Sequence, residues 1–194
     1  MEVLLTDFRD HLIQMLKTPF GLSESGVTAA SRIAKILSQG TPTCNRLGTI
    51  NPLIDEMIFL ASNTKMRDKN SSELFHSFSA ISNRLQWYRR PGLHSPKFMN
   101  GHANAEIIGP MGLHVRDDIK VGVTLMRRHL TYPDHHHFPE EVYIVLSDGL
   151  WRQNQEPWWS PGTGGYVYNK PDVLHAIKSV ETPLCAIWCL NLKD

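Results

Sequence analysis

Long apolar runs are missing from this sequence: the longest, such as Met57 to Ala61 and Val142 to Leu146, fall far short of the roughly 20 residues needed to cross a bilayer. No membrane span is expected. Cysteine is scarce as well. Cys44, Cys185 and Cys189 cannot pair completely and suggest no disulfide framework. Cys185 and Cys189 share parity in an apolar run, so they read as small core residues of one strand rather than a redox or metal pair. Neither sign of charge dominates: 20 Lys and Arg against 19 Asp and Glu leave a formal +1, and no global field gathers nucleic acid or an anionic membrane. The pairs Arg89-Arg90 and Arg127-Arg128 read as solvated surface. The first ten residues carry Glu2, Asp7 and Asp10 and lack the basic start and small-residue cleavage site of a secretory signal. A cytoplasmic protein is the expectation.

What is present is an ordinary globular balance, 41% hydrophobic over 194 residues, enough for one core with an appendage. Leu5, Phe8, Leu12, Met15 and Leu16 recur at helical spacing, and so do Val27, Ala30, Ile33, Ala34 and Leu37, with Gly40 as a stop. Asn51-Pro52 fits an N-cap and first helical position for Leu53, Ile54, Met57, Ile58 and Ala61. A fourth helix is expected after Ser71 and Ser72, carrying Leu74, Phe75, Phe78, Ile81 and Leu85. Prolines and a glycine then mark a boundary near residues 91–101. Beyond it the period becomes two, predicting strands over about 105–109, 119–129, 141–147, 150–153, 165–169, 174–180 and 184–191. The fold class expected is α+β, mainly β: a helical segment, residues 1–95, packed on a β-barrel, residues 96–194.

The chemistry concentrates between Tyr132 and Gly149, where His135, His136 and His137 stand in a row before Glu141. In extended chain alternate side chains share a face, so His135 and His137 converge while His136 points away. Glu141 and Tyr143 share parity, opposite to Val142, Ile144 and Leu146, which are left to pack outside the barrel wall or in a subunit contact. A homodimer is among the assemblies this allows. His175, at the start of a later strand, is the fourth candidate. Imidazole plus carboxylate without thiolate suits zinc, iron, manganese, nickel or copper, and the mixture does not choose among them. His11, His76, His94, His102, His114 and His129 are scattered, and none is assigned to the site.

His135-x-His137-x3-Glu141 followed by Val-Tyr-x-Val-Leu, and Gly165-x5-Pro171-x3-His175, resemble the two motifs of cupin barrels. Asp172 departs from them where glycine is usual, and Ser179 where asparagine is. The run from Tyr132 through His135, His136 and His137 to Tyr143 is similar to the cupin-type dimethylsulfoniopropionate (DMSP) lyases of the DddQ branch, which also carry an N-terminal helical region. The resemblance implies one divalent or trivalent transition-metal ion (Zn, Fe or Mn) held by His135, His137, Glu141 and His175. It also implies Tyr143 and Tyr132 beside a small zwitterionic substrate, split into acrylate and dimethyl sulfide.

The proton to be removed lies beside the substrate carboxylate, and a metal there spreads the developing charge. A free phenol with a pKa of about 10 is a poor base at neutral pH, and a nearby cation lowers it. Tyr143 is therefore the first choice of general base and Tyr132 the second. A sulfonium is suited to aromatic faces, for which Tyr166 and Trp188 are the candidates, with Trp158, Trp159 and Tyr168 behind them. The helices are expected to cover the barrel mouth. The rival readings are another metal-dependent cupin enzyme, an oxygenase or isomerase acting on a small acid, and a small-molecule-binding cupin.

Overall fold

The computed structural model describes residues 1–44, 48–92 and 95–193; Leu93 and His94, in the expected boundary, lie outside them. Helix α1 (Glu2–Lys17) buries the stripe read from the sequence. Helix α2 (Glu24–Leu37) opens at Ser23, whose hydroxyl accepts the Gly26 N–H. Its buried face is Ala29, Ala30, Ile33, Ala34 and Leu37, and Val27 falls outside it. Helix α3 (Ile54–Asn63) begins later than Asn51-Pro52 suggested, because the Asn51 side chain accepts the Leu53 N–H and makes a turn there instead of a cap. Leu53, Met57 and Leu60 are buried while Ile54 and Ile58 are exposed. Helix α4 (Lys69–Ile81) starts before Ser71: Asp68 accepts the Ser71 N–H and the Ser71 hydroxyl accepts the Asp68 N–H, a reciprocal cap.

Short elements carry the chain into the barrel. Strand β1 (Trp87–Tyr88) and helix α5 (Pro96–Gly101), capped by Ser95, were not legible as periodic runs. The strands that follow are β2 (His102–Ile108), β3 (Ile119–Met126), β4 (Thr131–His135), β5 (Glu141–Val145), β6 (Leu150–Gln153), β7 (Tyr166–Asn169), β8 (His175–Lys178) and β9 (Leu184–Asn191). Six form one antiparallel sheet in the order β1-β2-β3-β9-β5-β7, and three form a second, β4-β8-β6. The class is α+β, mainly β, with the strands in a cupin barrel. Strand β4 escaped the period-two reading because Thr131, Asp134 and His135 offer no apolar alternation. Asp172, in the turn before β8, has φ 56°, the left-handed region that makes glycine usual there and that aspartate tolerates.

Alternation along the strands splits the core in two. Val142, Ile144, Leu146, Cys185, Ile187 and Cys189 join one cluster with α1, α2 and α4, whereas Tyr143, Val145, Leu184, Ala186 and Trp188 join a second cluster inside the barrel. Helices α1, α2 and α4 therefore lie against the outer face of the large sheet, not over the barrel mouth as expected, whereas Phe98 of α5 joins the interior cluster. The Arg32 guanidinium of α2 reaches Glu140 at 2.5 Å, and the Tyr168 hydroxyl donates to the same carboxylate at 3.0 Å, which steadies the chain just before Glu141. Among the described residues no helix is long and apolar enough to cross a membrane.

Candidate metal centre

Strand β4 ends at His135, directly opposite His175 at the start of β8. His137 follows in the loop to β5, and Glu141 opens that strand facing the barrel interior. Three imidazoles meet, with ring centroids 4.1 Å apart for His135 and His175, 5.2 Å for His137 and His175, and 6.3 Å for His135 and His137. His136 points to the surface, 3.5 Å from Asp172.

The rings are oriented by the backbone beside them. Nδ1 of His135 donates to the Pro133 carbonyl, that of His137 to Pro139 and that of His175 to Val173, each at 2.9 Å. A carbonyl oxygen only accepts, so each neutral ring carries its hydrogen on Nδ1 and keeps a lone pair on Nε2. Oε2 of Glu141 lies 3.4 Å from Nε2 of His137 and 3.3 Å from Nε2 of His175. Among the described residues the buried His175 Nε2 has no hydrogen-bond partner, an orphaned lone pair of the kind a cation satisfies. The ligand atoms of His137, Glu141 and His175 all lie within 4.8 Å of one another, and His135 packs on His175 beside that set. Nitrogen and oxygen donors of this type fit a transition-metal ion.

Asn169 is a part of the site the sequence reading missed. It sits opposite Glu141 in the β5–β7 register, fully buried, and donates to Glu141 Oε2 at 2.8 Å while its own carbonyl accepts from Gln153. No motif marks it; only strand pairing brings it to the carboxylate. Burial pushes the Glu141 carboxyl up, but the His137 and His175 imidazoles beside it outweigh this and hold it well below the usual carboxylate range. Burial, then the neighbouring His175, lowers His135 to about 3. Burial also works against the charged form of His137, yet the Glu141 hydrogen bond and charge prevail and raise it. For Tyr143, burial and then the Glu141 carboxylate push the phenol well above its ordinary value.

A cavity of about 160 Å³ opens beside these groups, lined by Tyr132, Tyr143 and Trp188 among others. Drug-sized sites occupy roughly 300–1,000 Å³, so this one suits a ligand of few heavy atoms. The Trp188 indole lies over Gly122, where a Cβ would collide with it. The Tyr132 hydroxyl accepts from Asn104 at 3.3 Å and from Arg90 at 3.4 Å, and Thr124 donates to the Asn104 carbonyl at 2.8 Å. Arg90 is thus not the solvated surface residue its sequence neighbourhood suggested.

Tyr166 does not reach the cavity. It packs with the helical layer, its hydroxyl donating to the Met15 carbonyl at 2.8 Å and its ring edge-on to Phe20 at 5.3 Å. Trp158 lies under Arg152, Trp159 bridges to Trp151, and Tyr168 is held by Glu140. Tyr166→Phe is accordingly expected to cost about 0.5–1.5 kcal/mol of stability, read by denaturant titration, with no change in KM for the substrate.

Residues 26–186 match the dimethylsulfoniopropionate lyase family. A chain from crystal structures of the DMSP lyases RdDddP and RnDddQII superposes with a TM-score of 0.75 at 19% identity, covering 97% of this chain and 92% of that one. DMSP lyase DddQ from Ruegeria pomeroyi DSS-3 superposes with a TM-score of 0.66 at 19% identity, covering 87% and 92%. At that identity the two likenesses speak to the fold. No curated protein matches the chain.

Proposed function

Because the chain belongs to the dimethylsulfoniopropionate lyase family, we propose that it cleaves DMSP to acrylate and dimethyl sulfide at the cavity beside Glu141, with one transition-metal ion held by His135, His137, Glu141 and His175. The observation that carries this reading is the convergence of three Nδ1-anchored imidazoles and a buried carboxylate next to a buried phenol in so small a cavity. The reaction is a β-elimination: a base takes a proton from the carbon beside the carboxylate, that electron pair forms the double bond, and the carbon–sulfur pair departs on neutral dimethyl sulfide.

When bound, a cation at this site supplies positive charge that draws electron density from a substrate carboxylate and offsets the Glu141 charge felt by Tyr143. Tyr143 would act as the base in its phenolate form, its own hydroxyl hydrogen lost to solvent under the influence of the bound cation, and its oxygen would then take the substrate proton. The imidazoles and Glu141 hold the ion, Asn169 keeps Glu141 turned toward it, and Trp188 offers an aromatic face to the sulfonium. Barrel walls on either side limit water around the carbanion-like transition state.

The test is headspace detection of dimethyl sulfide, with acrylate measured in parallel, from purified protein under anaerobic conditions. Chelation is expected to stop both products, and one of zinc, iron or manganese to restore them. Product formation that needs oxygen would move the assignment to an oxygenase.

A second measurement follows from His137. Glu141 raises this imidazole above its ordinary value, so near neutral pH part of the population carries a proton on the nitrogen that must ligate. Metal binding is therefore expected to release protons, and apparent affinity to climb as pH rises through the neutral range. Calorimetry in buffers of differing ionisation enthalpy reads the release directly; metal uptake without proton release would remove His137 from the ligand set.

A further inference from the structure

Arg90 brings to the cavity a positive charge that no described residue around it balances. Among the described residues no carboxylate forms an ion pair with it; its guanidinium reaches only the Tyr132 hydroxyl, at 3.4 Å, with its centre 5.6 Å from that ring. Lys120 also lines the cavity, but its ammonium lies 3.5 Å from the buried Glu106 carboxylate. Glu141 is taken up by His137, His175 and Asn169. The position of Arg90 is built rather than incidental. Its backbone N–H donates at 2.9 Å to Nε2 of His102, a fully buried ring stacked on Phe98 at 3.8 Å whose Nδ1 meets the Phe98 carbonyl. Two residues earlier, Tyr88 of β1 pairs with Asn104 of β2.

A guanidinium has five N–H donors in a planar fork that matches a carboxylate, and most of the Arg90 donors have no acceptor among the described residues. We propose that Arg90 binds the same substrate carboxylate that a bound cation would polarise, both charges facing the one cavity that Tyr132 lines. The contact orients the zwitterion end for end, placing the carbon beside the carboxylate near the two phenols, and it disfavours cations that lack an acid group. This rests on the lyase reading in that it names which end of DMSP Arg90 takes; a carboxylate site at Arg90 stands without it.

The test uses the full, metal-loaded chain and four probes: DMSP, the acids acrylate and propionate, and trimethylsulfonium, which carries the sulfonium without the acid. For Arg90→Gln, acrylate binding followed by Trp188 fluorescence or calorimetry is expected to weaken roughly 10- to 100-fold, and the KM for DMSP to rise by a similar factor. Metal content and trimethylsulfonium binding are expected to stay as in the parent. Arg90→Lys keeps the charge without the fork, and a loss of about threefold to tenfold is expected; it carries the test if the glutamine variant does not fold.

Acrylate bound by a folded Arg90→Gln protein as tightly as by the parent overturns the proposal, as does an Arg90→Lys protein indistinguishable from the parent where only that variant folds. A parent that binds neither acrylate nor propionate overturns it too. A parent that binds these acids through Arg90 but makes no dimethyl sulfide leaves the carboxylate site standing and removes the lyase reading; dimethyl sulfide production with Arg90-independent acrylate binding does the reverse.

Discussion

Tyr143→Phe is expected to lower the rate of acrylate formation by roughly 10²- to 10⁴-fold, the range lost when a positioned proton-transfer group is removed. Metal content and fold are expected to be unchanged. The side chain lies inside the barrel, 3% exposed, opposite Trp188 in the β5–β9 register and edge-on to Trp151 at 6.1 Å. Phenylalanine fills the same space and deletes only the hydroxyl. The barrier to its acting as a base is electrostatic: burial first, then Glu141 two residues away, favour the neutral phenol. A cation held by Glu141 would act against the second of these causes, which gives the proposed base and the proposed ligand a physical reason to share one strand. Tyr132→Phe is the companion measurement, since that hydroxyl already accepts from Asn104 and Arg90. A Tyr143→Phe enzyme with parental turnover beside an inactive Tyr132→Phe enzyme would transfer the base role to Tyr132.

His175→Ala is expected to abolish stoichiometric metal retention and, with it, product formation. The ring is 1% exposed, fixed through Nδ1 to Val173, and its Nε2 has no hydrogen-bond partner. Binding a ligand only in the folded state raises the unfolding temperature by mass action. Added metal is therefore expected to raise Tm in the parent and to leave the His175→Ala protein unmoved. Asn169→Ala, which removes a support of Glu141 rather than a ligand, is expected to weaken metal binding by roughly 10- to 100-fold instead. Metal analysis after gel filtration separates the two. Full occupancy in His175→Ala would remove His175 from the proposed ligand set.

The convergence of His137, Glu141 and His175 was legible because each sits at or near a strand end, within motifs whose spacing survives in the linear order, whereas His135, read as the fourth member, packs on His175 beside that set. Parity along β5 was legible too: Glu141 and Tyr143 turn inward and Val142, Ile144 and Leu146 turn to the helices. Parity does not decide β7. Tyr166 and Tyr168 share one face and Val167 and Asn169 the other, each face mixing apolar and polar atoms, so the strand alone does not say which is inward. Pairing decides: Tyr166 stands opposite Ile144 and shares its helix-facing side, while Asn169 stands opposite Glu141 and shares the interior.

The sequence by itself determined the elements with strong periodicity, the division between helical and stranded halves, and the identity of the clustered imidazoles and carboxylate. Those follow from local alternation and short-range spacing, which a linear string carries. Only the tertiary structure decided that Arg90 and Asn104 face this cavity, that Asn169 is buried against Glu141, that Trp188 lines the cavity and Tyr166 does not, and that α1, α2 and α4 back the large sheet rather than close its mouth. Each of these depends on register between strands far apart in the chain, where a shift of one residue would turn every side chain to the opposite face.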